Sequence, residues 1–230
     1  MRGFLNKTDY RHFAVYAFIL LPTAALCYLG QLSLGTIPSA VLFGILLLIP
    51  IAGNVEIPVI KMRTRKQEHL QRDALVLEKI FSVPVVKELS SGTRIVFDTV
   101  VTINLGGFVI PLFLAAFLLT LQMNFVALEI ALIVMVVVAL VAEMIDGVGI
   151  VVPDYIGIIA IPFALLLDPI NADIIVFVAG TMGVLAGTMA HLFALNKEER
   201  GSAFISIGGA GSFRAIYITV ILAGLISQFI

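Results

Sequence analysis

The sequence contains no tryptophan, one cysteine and three histidines, and Asp, Glu, Lys and Arg together make up only 13% of its 230 residues. The lone Cys27 excludes an intramolecular disulfide and any cysteine-built metal centre. It reads as a small apolar core residue. No two histidines are placed to chelate a metal, so neither a metal nor a cofactor is expected. Without Trp, any aromatic belt at a membrane surface must come from Phe and Tyr. The formal net charge of −1 implies no global electrostatic partner and gives no footprint for nucleic acid.

What the chain has instead is apolar residues, at 60% of the total and a mean hydropathy of +1.12. Soluble domains run at about 45–50% apolar and about 25% charged. A soluble domain of this length must still cover its surface with polar groups, and lipid is the solvent that removes the conflict. A helix needs about 20 apolar residues to cross a hydrocarbon core about 30 Å thick. The runs that meet this are His12–Gly30, Thr36–Ile60, Asp98–Leu121, Phe125–Met144, Val148–Leu167, Ala172–Leu195 and Phe204–Ile230. Arg2, Lys7 and Arg11 precede the first run in the manner of a signal sequence, but the run is long and no small-x-small cleavage site follows, so it reads as a retained helix. The expectation is one transmembrane domain over 1–230, an all-α polytopic fold of about seven transmembrane helices.

Basic residues set the expected orientation. Arg2, Lys7 and Arg11 lie before the first run. Lys61, Arg63, Arg65, Lys66, Arg72, Lys79, Lys87 and Arg94 lie between the second and third, and Lys197 and Arg200 between the sixth and seventh. The connections around Gln31–Gly35, Gln122–Asn124 and Asp168–Asn171 carry none. Only Arg214 breaks the pattern, which predicts a multi-pass protein of the cell membrane with its N-terminus cytoplasmic and its C-terminus outside. The cytoplasmic segment 61–97 is predicted to hold a small β-hairpin, Ile80–Val86 and Thr93–Phe97 around the turn Ser90-Ser91-Gly92, with Pro84 marking an edge strand.

Ionisable groups at membrane depth face a bundle interior or a cavity. Arg214, about ten residues into its run and so roughly 15 Å deep, needs a counter-charge or an anion, and Glu56 and Asp154 are the candidate partners. Backbone breakers cluster in the same runs: Gly53-Asn54-Val55-Glu56-Ile57-Pro58, Asn104-Leu105-Gly106-Gly107, Gly147-Val148-Gly149 with Pro153, and Gly208-Gly209-Ala210-Gly211-Ser212. Broken helices beside a cavity are one way to build a transport site. Close helix packing through small residues is the plainer alternative. The expected substrate or ion pathway comprises Asn54, Glu56, Asn104, Asp154, Gly208, Ser212 and Arg214, with no catalytic residue assigned. Ile103-Asn104-Leu105-Gly106-Gly107 and Ile205-Ser206-Ile207-Gly208-Gly209 also match, which suggests a parallel repeat of three helices, one linker helix and three helices.

These glycine-rich segments, together with Thr102–Pro111 and Gly208–Phe213, resemble a prokaryotic membrane family, domain of unknown function 1614. The resemblance runs from the second apolar run onward and implies a bacterial or archaeal membrane protein without an assigned activity. This chain departs from the family in having Arg214, and no acid near Met189, where members commonly carry acids.

The leading expectation is a small secondary transporter or permease for a small anionic or proton-coupled substrate, with the lipid bilayer as its partner and a homo-oligomer compatible with the composition. An intramembrane aspartyl-type hydrolase using Asp146 and Asp154 is the alternative. A non-catalytic assembly or sensory subunit, docking a partner through its basic segment, is the third.

Overall fold

The computed structural model describes residues 10–65, 74–81, 83–86, 96–196 and 201–229. Its helices are α1 (Tyr10–Tyr28), α2 (Ser39–Ala52), α3 (Ala74–Phe81), α4 (Ile110–Leu121), α5 (Phe125–Val141), α6 (Ala160–Leu167), α7 (Ala172–Ala194) and α8 (Phe213–Ile226). Its strands are β1 (Glu56–Arg65), β2 (Val96–Asn104), β3 (Glu143–Ile145), β4 (Gly149–Val151) and β5 (Phe204–Ile207). β1, β2 and β5 form one sheet in that order, β1 antiparallel and β5 parallel to β2, while β3 and β4 form a separate hairpin.

This architecture overturns the expectation of seven transmembrane helices in an all-α bundle, and with it the repeat of three-helix units. Among the described residues one helix, α7 with the short turn before it (Pro169–Ala194, 26 residues), is long and apolar enough to cross a membrane. The first apolar run is helical from Tyr10 to Tyr28, whereas the others change conformation partway. Thr36–Ile60 is helical to Ala52 and then extends as β1. Asp98–Leu121 is strand to Asn104, one wide turn over Leu105–Val109, and helix only from Ile110. Phe204–Ile230 is strand to Ile207 and helix from Phe213. Part of the reason is local. The extended parts are dense in β-branched residues (Thr99, Val100, Val101, Thr102 and Ile103 in β2 alone), which pack well on a pleated surface. The Gly and Asn clusters then mark where strand gives way to helix. Apolarity alone does not distinguish the two conformations.

The expected cytoplasmic hairpin is corrected as well. Ile80 and Phe81 close the helix α3, and Val85–Val86 are helical rather than extended. The predicted turn Ser90-Ser91-Gly92 lies outside the described residues. β2 pairs instead with β1, with Arg65 opposite Val96 and Glu56 opposite Asn104. β1 is an edge strand and carries Pro58 beside a register shift, where a missing N–H does not interrupt an interior ladder.

α7 is the axis of the packing, buried over nearly its whole length. It meets α5 through Gly183 against Val134 and Gly187 against Val138, a four-residue spacing on both helices that brings the backbones close. On another face Gly180 meets Thr219 of α8. Hydrogen bonds gather the basic-free connections at one end of the molecule. Gly35 N donates to Asp173 (2.8 Å), Asn124 Nδ2 to Asp168 (3.1 Å), and Ser33 N to the Ser227 hydroxyl (3.1 Å). The three-stranded sheet lies at the other ends of these helices.

One contact ties α2 to α8. Pro50 sits inside α2 and has no N–H to give the carbonyl four residues earlier, that of Leu46. The fully buried Tyr217 hydroxyl donates to that carbonyl at 3.0 Å. Tyr217→Phe should therefore cost about 1–3 kcal/mol by leaving a buried acceptor unsatisfied. In a Pro50→Ala background, where the restored backbone N–H can supply the helical hydrogen bond, the same substitution should cost less. Unfolding midpoints for the four proteins of this cycle measure the difference.

Candidate functional site

The sheet register assembles the site. Glu56 and Asn104 are directly opposite on β1 and β2, so their side chains leave the sheet on one face. Thr102 precedes Asn104 by two residues and shares that face. Ser206 of β5 lies opposite Thr102 and shares it too. Four polar side chains from three strands therefore converge, all of them buried.

Glu56 is their centre. Its Oε1 accepts from Asn104 Nδ2 (3.0 Å) and lies 2.8 Å from Ser206 Oγ. Its Oε2 accepts from Thr102 Oγ1 (2.7 Å) and lies 2.7 Å from the same Ser206 Oγ. Asn104 is fixed on all sides, because Nδ2 also donates to the Gly53 carbonyl (2.7 Å) and Oδ1 accepts from Gly107 N (2.8 Å). That pattern also assigns its amide orientation, since the reversed amide would face donor with donor. Gly209 leaves the space: a methyl group there would overlap Ser206 Oγ and crowd Glu56 Oε1.

Glycine backbones close the site below. A side chain on Gly106 would overlap the Ile49 carbonyl and the Gly53 nitrogen, and one on Gly107 would overlap the Gly208 carbonyl. Gly208 has φ +76°, a left-handed conformation open to glycine at little cost, and its N–H donates to Ser212 Oγ (3.0 Å). The Phe213 ring lies over Gly53 and Gly107 and stacks on Tyr217. The breaks after α2, after β2 and after β5 thus touch backbone to backbone, with Glu56 at their meeting point.

The sequence-predicted residues divide into three groups. Glu56 and Asn104 form the cluster, while Gly208 and Ser212 shape its wall. Asn54 lies apart from it, with Nδ2 on the Ile51 carbonyl at the end of α2 (3.3 Å). Arg214 and Asp154 pair with each other (3.3 Å), both partly exposed, and the guanidinium lies 5.7 Å from the Phe81 ring centre. Of the two carboxylates considered for Arg214, Asp154 is the partner, so Glu56 has no counter-charge among the described residues. Asp146 accepts from Gly201 N (3.0 Å), whereas Asp154 faces Arg214. Thr102 and Ser206 are absent from the expected pathway because only the strand register sets them on the same face as Glu56. Ser206 was within reach, since it aligns with Asn104 in the repeated Ile-x-x-Gly-Gly pattern. No group of three or more His, Cys, Asp or Glu able to hold a metal occurs among the described residues.

Fold and site together define a mixed helix-and-sheet protein built on one membrane-length core helix, with a buried carboxyl cluster where its chain breaks converge. The chain belongs to the family described as protein of unknown function (DUF1614), whose model matches residues 51–226 and so spans the whole cluster. No curated protein and no solved structure matches it.

Two outcomes follow for stability. Thr102→Val keeps the shape but removes a donor to a buried carboxyl, and should lower stability by about 1–3 kcal/mol; Thr102→Ser, which keeps the donor, should cost less. Removing the partly exposed Arg214–Asp154 pair should cost about 1 kcal/mol or less, because solvent screens it. A double-mutant cycle with Arg214→Gln and Asp154→Asn, read by denaturant midpoints, measures that coupling.

Proposed function

We propose that this chain is a small membrane permease whose polar pathway passes the Glu56 cluster. The observation that carries the reading is a buried carboxyl held by hydroxyl and amide groups, with no cation among the described residues beside it, where three chain breaks meet. Burying such a group is costly and has no evident benefit to packing. Irregular backbone lined with polar groups is how transport proteins make a site inside an apolar body. Glu56, Asn104, Thr102 and Ser206 would bind or pass the solute, and Gly208 and Ser212 would shape the passage. Asp154 and Arg214, a partly exposed ion pair at the start of α8, would present a cation to an anionic solute.

Membrane residence is supported by the outer faces of the helices. Phe113 on α4, Leu140 on α5 and Leu166 on α6 are 74%, 80% and 79% exposed, and similar residues continue along α2. Such a surface is more than a soluble monomer commonly leaves to water. α4, α5 and α6 have 12, 17 and 8 residues, about 18, 25 and 12 Å at 1.5 Å per residue. A multi-pass arrangement would therefore need the flanking turns and strands, or a locally thinned bilayer, to complete each crossing. The basic-free connections held together at one end support an outer face there, with the basic segments and the N-terminus in the cytoplasm of a bacterial or archaeal cell.

The pathway can be tested before the solute is known. In a Cys27→Ala background reconstituted in liposomes, Thr102→Cys, Asn104→Cys and Ser206→Cys should each react with a membrane-impermeant methanethiosulfonate reagent, with Tyr155→Cys as the exposed control. If the control reacts and all three buried positions stay silent from both sides, the cluster is a sealed structural plug and the permease reading fails.

A further inference from the structure

We propose that Glu56 carries a proton, bound between its own carboxyl and the Ser206 hydroxyl, and that this proton controls access to the cluster. The control of access rests on the permease reading; the bound proton does not.

Counting hydrogens leads to it. The Glu56 carboxyl makes four short polar contacts: one to Asn104, one to Thr102 and two to Ser206. Asn104 supplies one N–H there, its second being on the Gly53 carbonyl. Thr102 supplies one O–H. Ser206 has a single O–H but lies within 2.8 Å of both carboxyl oxygens. The neighbours thus provide three protons for four contacts. One proton shared equally over two oxygens would leave both bonds bent and weak. A proton on Glu56 completes the set: the carboxyl O–H donates to Ser206 Oγ while Ser206 O–H donates to the other carboxyl oxygen. The exchange is balanced in both directions. Loss of the proton to a passing water leaves a carboxylate with three donors, and its return restores the ring.

The charged surroundings favour no other counter-ion. The α2–β1 turn contributes no titratable neighbour. On β2 the acid is Asp98, at the far end of the strand and paired with Arg63. β5 and the turn Leu105–Val109 have none. α8 brings Tyr217, committed to the Leu46 carbonyl, and Arg214, committed to Asp154. Asp154 is partly exposed and faces the Arg214 guanidinium. Ser206 is the positioning residue. It takes part in two of the four contacts, and Gly209 supplies the room for it.

The experiment uses the full chain in lipid, with infrared difference spectra recorded while buffers of different pH flow over it. The expected result is a protonated-carboxyl C=O stretch that shifts in deuterated buffer, is lost in Glu56→Gln and persists in Asp154→Asn. Ser206→Ala, which keeps the carboxyl and removes two of its contacts, should move that band, and it serves as the test if Glu56→Gln does not fold. A band that survives in Glu56→Gln, or that Ser206→Ala leaves unmoved, overturns the proposal. So does a Glu56 carboxylate band that responds to sodium ions and not to pH, which would make the cluster a metal-cation site. Access is read separately. Labelling of Asn104→Cys, divided by that of the Tyr155→Cys control, should change with pH and lose that dependence when Glu56→Gln is added. If the band is assigned to Glu56 but the labelling ratio does not vary, the proton stands and its control of access is refuted. Absence of labelling at every pH refutes the permease reading while the infrared result still decides the proton.

Discussion

Three backbones approach one another where only hydrogen can stand in place of a side chain. Gly106 lies against the end of α2 at Ile49 and Gly53, and Gly107 lies against Gly208. That closeness sets the rest of the structure. It brings the start of β1 opposite the end of β2 and places β5 alongside. It also lets Phe213 lie over two glycines rather than over side chains. The carboxyl of Glu56 then faces groups from β2 and β5 at hydrogen-bonding distance, and Asn104 is held by the Gly53 carbonyl and the Gly107 N–H together. A larger residue at any of these positions would separate the breaks and dissolve the cluster.

Polar groups freed by the irregular backbone find partners within this arrangement. The Leu46 carbonyl, deprived of a donor by Pro50, takes the Tyr217 hydroxyl. The Gly208 N–H takes Ser212 Oγ, and Asn104 caps the turn that opens toward α4. In an apolar body such groups have no water to fall back on, so each break needs a specific neighbour. These neighbours come from elements far apart in sequence, which makes the glycine and proline positions interdependent. Function, on the permease reading, uses the same property: a polar route requires irregular backbone, and irregular backbone requires polar side chains beside it.

Much of the buried cluster was legible in the residues. Buried-depth acids and glycine clusters pointed to Glu56, Asn104, Gly208 and Ser212, and Arg214 was expected to need a carboxylate. Legibility failed where the signal depends on pairing. Thr102 and Ser206 are ordinary hydroxyl residues until the register sets them opposite one another. Asn54, two residues before Glu56 in sequence, turns back to cap α2 instead. The choice between Glu56 and Asp154 as the Arg214 partner is a matter of which loop lies next to the start of α8.

From the residues alone the apolar bulk of the chain, the places where its runs break and its family likeness were determined, because composition, breaker chemistry and motif identity are local. The conformation on either side of each break was not. An apolar stretch rich in Val, Ile and Thr leans toward strand, but it needs a neighbouring strand with free N–H and C=O groups to pair with. β2 supplies that neighbour to both β1 and β5. The tertiary structure therefore converted several expected membrane helices into strand-and-helix pairs, left α7 as the one helix among the described residues long and apolar enough to cross a membrane, and gathered three scattered polar residues around the Glu56 carboxyl.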